Sequence, residues 1–390
     1  MNILFVSALL PYPLHSGGQV RMYNLLKALS KKHTITLFSF IRSDEERKYA
    51  KDLSFLSDVH MVMRGKGMQV KYLIGALGNY PLLLSTYDNR NMQEKIRNEL
   101  AKKKYDLMHA EPFYVYPSLP KLSVPLVVAE HNVEYAVYEK NAKKLRIPIL
   151  RPFAFLDAVK VKIWEKIIWQ KAKRVIAVSD EDARDISKIT NKHTTVVPNG
   201  VDTTYFSFHA HTFDIKKPSF LFVGNFLWAP NKEAVQQLLQ LIWPAIIKVF
   251  PTAKLSIVGK HFPSSLRQFV SPSVKVEEYV DDIRDAFTAA DVLLAPMGIG
   301  GGTKFKLLEA MASGTLVITT KEGRMGLTGT DGKEFLEAEN SKAFVAAVKR
   351  IYQSPKEAVG LTKNARTLVE KKYDWVEIAK KLDEVWKGAI

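Results

Sequence analysis

At 390 residues the chain is too long for one ordinary hydrophobic core and suits two domains of roughly 150 to 200 residues each. A hydrophobic fraction of 47%, a charged fraction of 25% and near-zero mean hydropathy exclude a disordered or collagen-like chain, and the absence of cysteine excludes disulfides, thiolate nucleophiles and Cys-based zinc sites. With 57 Lys+Arg against 40 Asp+Glu the formal charge is +17, which points to an anionic partner: nucleic acid, a phosphorylated substrate or an acidic membrane surface. Met1-Asn2 and the apolar run to Leu10 carry no basic residue, whereas a secretory signal places positive charge ahead of its apolar core. No stretch reaches the ~18 consecutive apolar residues of a membrane span. The expectation is a cytoplasmic chain, peripheral on the inner face of the membrane.

In chain order, Ile3 to Ala8 is a short, continuously apolar run of the kind that forms a parallel strand buried on both faces. A Pro/Gly loop, Pro11 to Gly18, follows it. Val20 to Ser30 has helical spacing and Ile35 to Phe40 reads as a second strand, so the opening is strand, glycine loop, helix, strand. Further strands are expected at Asp106 to Ala110, Pro125 to Glu130 and Arg174 to Ser179, giving a doubly wound α/β domain. The pattern restarts after Pro198-Asn199-Gly200-Val201-Asp202, with strands at Ser219 to Gly224, Lys254 to Gly259, Val274 to Tyr279, Val292 to Pro296 and Thr315 to Thr319. Between the first two of these lies a helix, Asn231 to Phe250, that Pro244 should bend. The expected organisation is α/β throughout, two Rossmann-like domains facing a cleft: residues 1–200, then 201–372. A last helix, 373–390, with an apolar face of Trp375, Ile378, Leu382 and Trp386, packs back on the first domain.

Two loops carry the chemistry. Gly17-Gly18 lies between the first strand and first helix, where small residues let backbone amides approach an anion or a sugar. No G-x-G-x-x-G or G-x-x-x-x-G-K-[ST] is present, which removes most support for a dinucleotide or P-loop site. The run Gly298 to Gly314 is more specific: four glycines in five residues after a strand, then a helix with Lys304 and Lys306 in its first turns. A helix dipole disfavours cations at that end, so these lysines imply a bound anion, and a diphosphate beside the free amides would supply one. Glu309 is then placed to accept hydrogen bonds from a ribose diol. The plain alternative is a glycine turn with two solvated lysines and a surface glutamate.

Gly17-Gly18, Glu130-His131-Asn132-Val133-Glu134, Val178-Ser179-Asp180, Pro198 to Asp202, Val223 to Phe226 with Trp228 and Pro230-Asn231, and the glycine loop leading into Leu308-Glu309-Ala310-Met311-Ala312 occur in this order. Together they resemble the retaining, nucleotide-sugar-dependent glycosyltransferases of the GT-B fold, family 4, over essentially the whole chain. The resemblance implies an N-terminal acceptor domain and a C-terminal donor domain that takes a nucleotide-diphosphate sugar, with no further cofactor and no metal. It places Gly17 and Gly18 near the donor diphosphate and His131, Gly302 and Thr303 at the transferred sugar. Amides around Phe305 and Lys306 form the phosphate-binding helix start, and Glu309 holds the ribose as the second glutamate of E-x7-E. The first glutamate of that pair is replaced by Gly301, and the Arg and Lys that follow the first donor-domain strand are replaced by Asn225 and Asn231. Lys304 and Lys306 are expected to supply the missing charge, with Lys232 a weaker candidate. Asp180-Glu181-Asp182 offers a superficial D-x-D that reads better as helix-start chemistry, and His209 and His211 lack nearby carboxylates in sequence.

Lys140 to Arg174 holds eleven Lys/Arg against Asp157 and Glu165, and it is also apolar and aromatic, which suits a helix lying in an anionic lipid interface. The alternative is a core-facing helix with a solvated basic rim. A second basic, apolar patch runs from Val62 to Leu84. The leading expectation is transfer of a sugar to a lipid-linked or polysaccharide acceptor. A soluble acceptor, a catalytically silent GT-B scaffold and a basic nucleic-acid-binding protein are the alternatives; the last leaves the glycine loop without a role and lacks any nucleic-acid-binding signature.

Overall fold

A computed structural model describes residues 1–64, 78, 80–145, 147–298 and 304–390. Two compact units emerge, Met1–Pro198 with Ile378–Ile390, and Asn199–Glu377. Each is a wholly parallel sheet flanked by helices.

The first unit has a seven-stranded sheet in the order β3-β2-β1-β4-β5-β6-β7. Its strands are β1 (Asn2–Ser7), β2 (Thr34–Ile41), β3 (Asp58–Met63), β4 (Leu107–Glu111), β5 (Leu126–Ala129), β6 (Arg174–Ala177) and β7 (Thr195–Val196). Strands β1, β4 and β5 are apolar runs because helices cover both faces, and nearly every residue in them is buried. Strand order reverses direction between β1 and β4, the point where doubly wound sheets open a crevice beyond their carboxyl ends. The helix Gly17–Leu29 starts there, capped by Ser16, whose Oγ accepts from Gln19 N.

The second unit repeats the plan in six strands, order β10-β9-β8-β11-β12-β13. These are β8 (Ser219–Val223), β9 (Lys254–Val258), β10 (Val274–Glu277), β11 (Val292–Ala295), β12 (Leu316–Thr319) and β13 (Leu336–Glu337). The reversal falls between β8 and β11, and the helix Phe305–Ser313 follows β11. Gly314 closes that helix in the left-handed conformation, φ 88°, where a Cβ would meet the His209 carbonyl oxygen. The expected bend at Pro244 takes a specific form: a π-turn, Leu238–Ile242, separates the helices Ala229–Gln237 and Trp243–Val249. Proline has no N–H to donate four residues back, and the wider turn absorbs the mismatch. Strands β3, β7 and β13 have no counterpart in the sequence reading; the last two are only two residues long.

The closing helix, Trp375–Lys387, begins in the second unit, where Asp374 accepts from Thr203 N and Oγ. It ends in the first, where Trp386 is fully buried and Asp383 holds His33 Nε2 at 2.9 Å.

The basic segment forms two packed helices, Glu134–Lys144 and Arg151–Lys171. One face of the second helix, with Ala158, Val161, Ile168 and Trp169, is core. The buried Glu165 carboxyl caps the first helix from that face, accepting from Glu134 N (2.7 Å) and Tyr135 N (3.1 Å), and burial pushes its pKa up to about 8. The other face is a stripe of exposed apolar side chains, Phe153, Leu156, Val159 and Ile163, with Phe153 68% exposed, and Ile149 in the turn Pro148–Leu150 just before the helix is 76% exposed. The core-facing alternative therefore holds for one face, while the other leaves an apolar stripe uncovered. Most of the second patch, including Lys66, Lys71 and Tyr72, lies outside the described residues. Among the described residues no helix is long and apolar enough to cross a membrane.

Candidate active site

The first unit gathers its charge at the β1/β4 switch point. Glu111 ends β4 with its side chain fully buried and saturated by three donors. Arg21 Nε lies 3.1 Å and His131 Nε2 2.6 Å from Oε1, and His109 Nε2 lies 3.1 Å from Oε2. Burial alone would raise the Glu111 pKa, but the hydrogen bonds from His109 and His131 and the charge of Arg21 hold the carboxyl well below its ordinary value. Arg21, equally buried on the Gly17–Leu29 helix, donates its other arm to the Pro198 carbonyl at 2.8 Å.

His131 follows β5 and keeps a fifth of its side chain exposed. A Cβ added at Gly18 would sit 2.9 Å from His131 Cε1 and 3.1 Å from Nδ1. The imidazole cannot retreat while Glu111 holds Nε2, so position 18 requires glycine. The structure thus brings Gly18 and His131 into contact, and Gly17 stands in the first turn of the same helix.

In the second unit the loop after β8 and the helix after β11 meet at Asn231. Its Nδ2 donates to the Asn225 carbonyl at 2.8 Å, and its Oδ1 accepts from Lys306 Nζ at 2.8 Å. Gly224 lets Asn231 come this close, since a Cβ there would lie 2.9 Å from Asn231 Cγ. Lys306 Nζ also sits over the Phe222 ring, 4.7 Å from its centre. Burial pushes Lys306 down to about 7, opposed by Glu309, and pushes Glu309 up to about 7, opposed by Lys306. Both side chains nevertheless keep some exposure to solvent. Near neutral pH the pair is therefore only partly charged, on the first two turns of a helix whose leading amides have no intrahelical acceptor. Phe305 opens that helix with Lys304 at its cap position, and the Phe305 ring lies 6.3 Å from that of Trp375. Gly301, Gly302 and Thr303 lie outside the described residues.

Arg21, Glu111 and His109 escaped the sequence reading. Their signals were present: a charged residue ending an otherwise apolar parallel strand, and an arginine on the apolar face of the first helix. The expectation that His211 has no carboxylate partner is corrected. Its Nδ1 lies 3.4 Å from the Asp291 carboxylate, a partner supplied by the fold and invisible in the local sequence. Asp180, Glu181 and Asp182 form the first turn of a helix capped by Ser179, consistent with the helix-start reading.

Two successive Rossmann-type units are the GT-B architecture, and the family models that match them make the chain a glycosyltransferase. Two family models match in succession, Glycosyltransferase Family 4 over residues 15–205 and Glycosyl transferases group 1 over 217–354. The chain is 23% identical to an uncharacterized 44.6 kDa protein in the cps region of Klebsiella pneumoniae, covering 96% of both. It is 26% identical to phosphatidyl-myo-inositol mannosyltransferase of Mycolicibacterium smegmatis, covering 75% of this chain and 74% of that one. The fold is also similar to Anabaena HepE, solved in complex with UDP, with a TM-score of 0.66 at 16% identity over 99% of this chain and all of that one.

Proposed function

We propose that the chain moves a sugar, with retention and without a metal, from a nucleoside-diphosphate sugar to a lipid-linked or polysaccharide acceptor at a membrane surface. The observation that carries the donor half is Lys306 Nζ on Asn231 Oδ1. Asparagine stands where the family pattern has a cation, and the lysine of a different helix reaches that side chain. A leaving diphosphate gains charge as the sugar departs, and preorganised amides with an ammonium stabilise that charge. Asn225, Asn231, Lys304, Phe305, Lys306 and Glu309 are the proposed donor-binding residues of the second unit, and Gly17 and Gly18 those of the first. His131, Gly302 and Thr303 face the transferred sugar.

The acceptor class follows from the apolar stripe on the Arg151–Lys171 helix, set among basic side chains, and from the lipid named for the mannosyltransferase relative. The same surface is the proposed contact with anionic lipid, which makes the protein peripheral on the cytoplasmic face.

A panel of nucleoside-diphosphate sugars, scored by thermal shift and by release of the nucleoside diphosphate with and without EDTA, tests the donor assignment. One or more donors should stabilise the chain and turn over in EDTA; stabilisation by oligonucleotides alone would sink the reading. The anomeric proton coupling of the product reports retention. Phe153→Asp with Leu156→Asp should leave the melting temperature nearly unchanged, since both side chains are exposed, and abolish co-sedimentation with anionic vesicles. Unchanged sedimentation would remove this helix from the membrane contact.

A further inference from the structure

His109 lies in β4, two residues before Glu111, so both side chains leave the same face of the sheet. It is fully buried and stacked on Phe5 with ring centres 4.4 Å apart. Its Nδ1 lies 3.0 Å from Nε1 of Trp386 on the closing helix. An indole N–H can only donate, so Nδ1 carries no proton, and the single proton of the neutral ring sits on Nε2, facing Glu111 Oε2. Burial pushes the His109 pKa down, against the pull of Glu111, which favours this neutral form. The hydrogen bonds therefore run in a fixed sense: Trp386 donates to His109, His109 donates to Glu111, and Glu111 takes the Nε2 proton of His131 on its other oxygen. The Nδ1 edge of His131 is left toward Gly18.

We infer that His109 and Trp386 are positioning residues that orient the Glu111 carboxylate as an acceptor and, through it, fix the tautomer and ring orientation of His131. The closing helix thereby tunes a histidine placed much earlier in the chain. The inference rests on the reading of His131 as a site residue, but the relay itself is geometric. The charged and titratable groups around His131 come from three elements: Glu111 and His109 from β4, Arg21 from the Gly17–Leu29 helix, and Glu134, whose carboxyl senses the His131 charge, from the helix that follows. Of these, Arg21 and Glu111 offset each other in direct contact. The remaining adjustable member is His109, and its tautomer is fixed by the Trp386 donor.

The test is a pH titration of the His131 Cε1–H resonance in the full chain, assigned by its loss in His131→Gln. His109→Phe keeps a ring stacked on Phe5 but removes one donor from Glu111. The more basic carboxylate should raise the His131 midpoint by about half to one pH unit. Trp386→Phe keeps the buried ring and deletes only the N–H that fixes the His109 tautomer; the neutral ring can then carry its proton on Nδ1, which takes the Nε2 donor from Glu111 and should raise the His131 midpoint as His109→Phe does, by less. His109→Gln, whose carboxamide offers both an acceptor and a donor, should restore the parent value. The acid limb of kcat/KM should move with the resonance. Shifts of the same sign in the two aromatic variants, with rescue by glutamine, establish the relay. An unchanged His131 midpoint in Trp386→Phe, with only the melting temperature altered, overturns it, and this variant decides the matter should His109→Phe fail to fold. The resonance is read without substrate, so absence of transfer activity would count against the proposed function and leave the relay standing.

Discussion

The two sheets reverse at equivalent points, yet their charges are handled in opposite ways. At the β1/β4 point the carboxylate of Glu111 is sealed from solvent and satisfied by Arg21, His109 and His131. At the β8/β11 point Lys306 and Glu309 remain partly exposed, and burial leaves both near half-ionisation around neutral pH. One network carries its own counter-ions and gives shape to a histidine. The other holds charge in reserve, and a diphosphate would complete it. A shared topology thus carries a self-satisfied network on one unit and, on the function proposed here, a ligand-completed site on the other.

The largest effect expected from breaking this contrast is at Glu111. Glu111→Gln strands the buried Arg21 guanidinium, and removing one partner of such a pair costs about 3–5 kcal/mol. Urea denaturation should show the loss in the first unit, and an unchanged midpoint would mean the network is dispensable. Lys306→Met replaces a poorly solvated ammonium with an apolar chain and should spare stability. It should weaken nucleoside-diphosphate binding by about 2 kcal/mol, from loss of a charge-assisted contact. Proton counting sharpens the same prediction. Because the folded Lys306 pKa is lowered to about 7, unliganded protein binds fewer protons there than the unfolded chain between pH 7 and 10.5, and this residue's contribution to stability rises with pH across that window. Glu309 is raised to about 7, so its contribution falls as pH climbs from 4.5 to 7. A diphosphate that draws Lys306 back to the ammonium should take up a proton near pH 8, visible by calorimetry in buffers of different ionisation enthalpy and absent in Lys306→Met. The smallest effect is at Glu309: Glu309→Ala should weaken nucleotide binding about tenfold with the fold intact. Unchanged affinity would take it out of the site.

Legibility in the sequence followed the range of the interactions. Strands buried on both faces announced themselves as apolar runs, so β1, β2, β4, β5 and β6 and five of the second sheet's strands were readable to within a residue or two. Edge strands β7 and β13, two residues each, had no run to read. The grouping of Lys304, Lys306 and Glu309 was legible because they sit on one helix and its cap position. The first unit's cluster was not, since Arg21, Glu111 and His131 come from separate βα units and meet only in the fold, and Trp386, the donor to His109, comes from much later in the chain. Lys306 was read as a phosphate ligand, but its contact with Asn231, 75 residues away, needed the fold.

Trp386 bears also on how the polypeptide is made. Its ring is among the largest fully buried side chains of the first unit, yet it follows the whole of the second unit in the chain. Domains ordinarily fold in order of synthesis, N-terminal first. Here the ribosome must make the entire second unit before the first receives Trp386, the donor for His109, and Asp383, whose carboxylate holds His33. The later-born unit is made in full while the core of the earlier one still lacks these side chains.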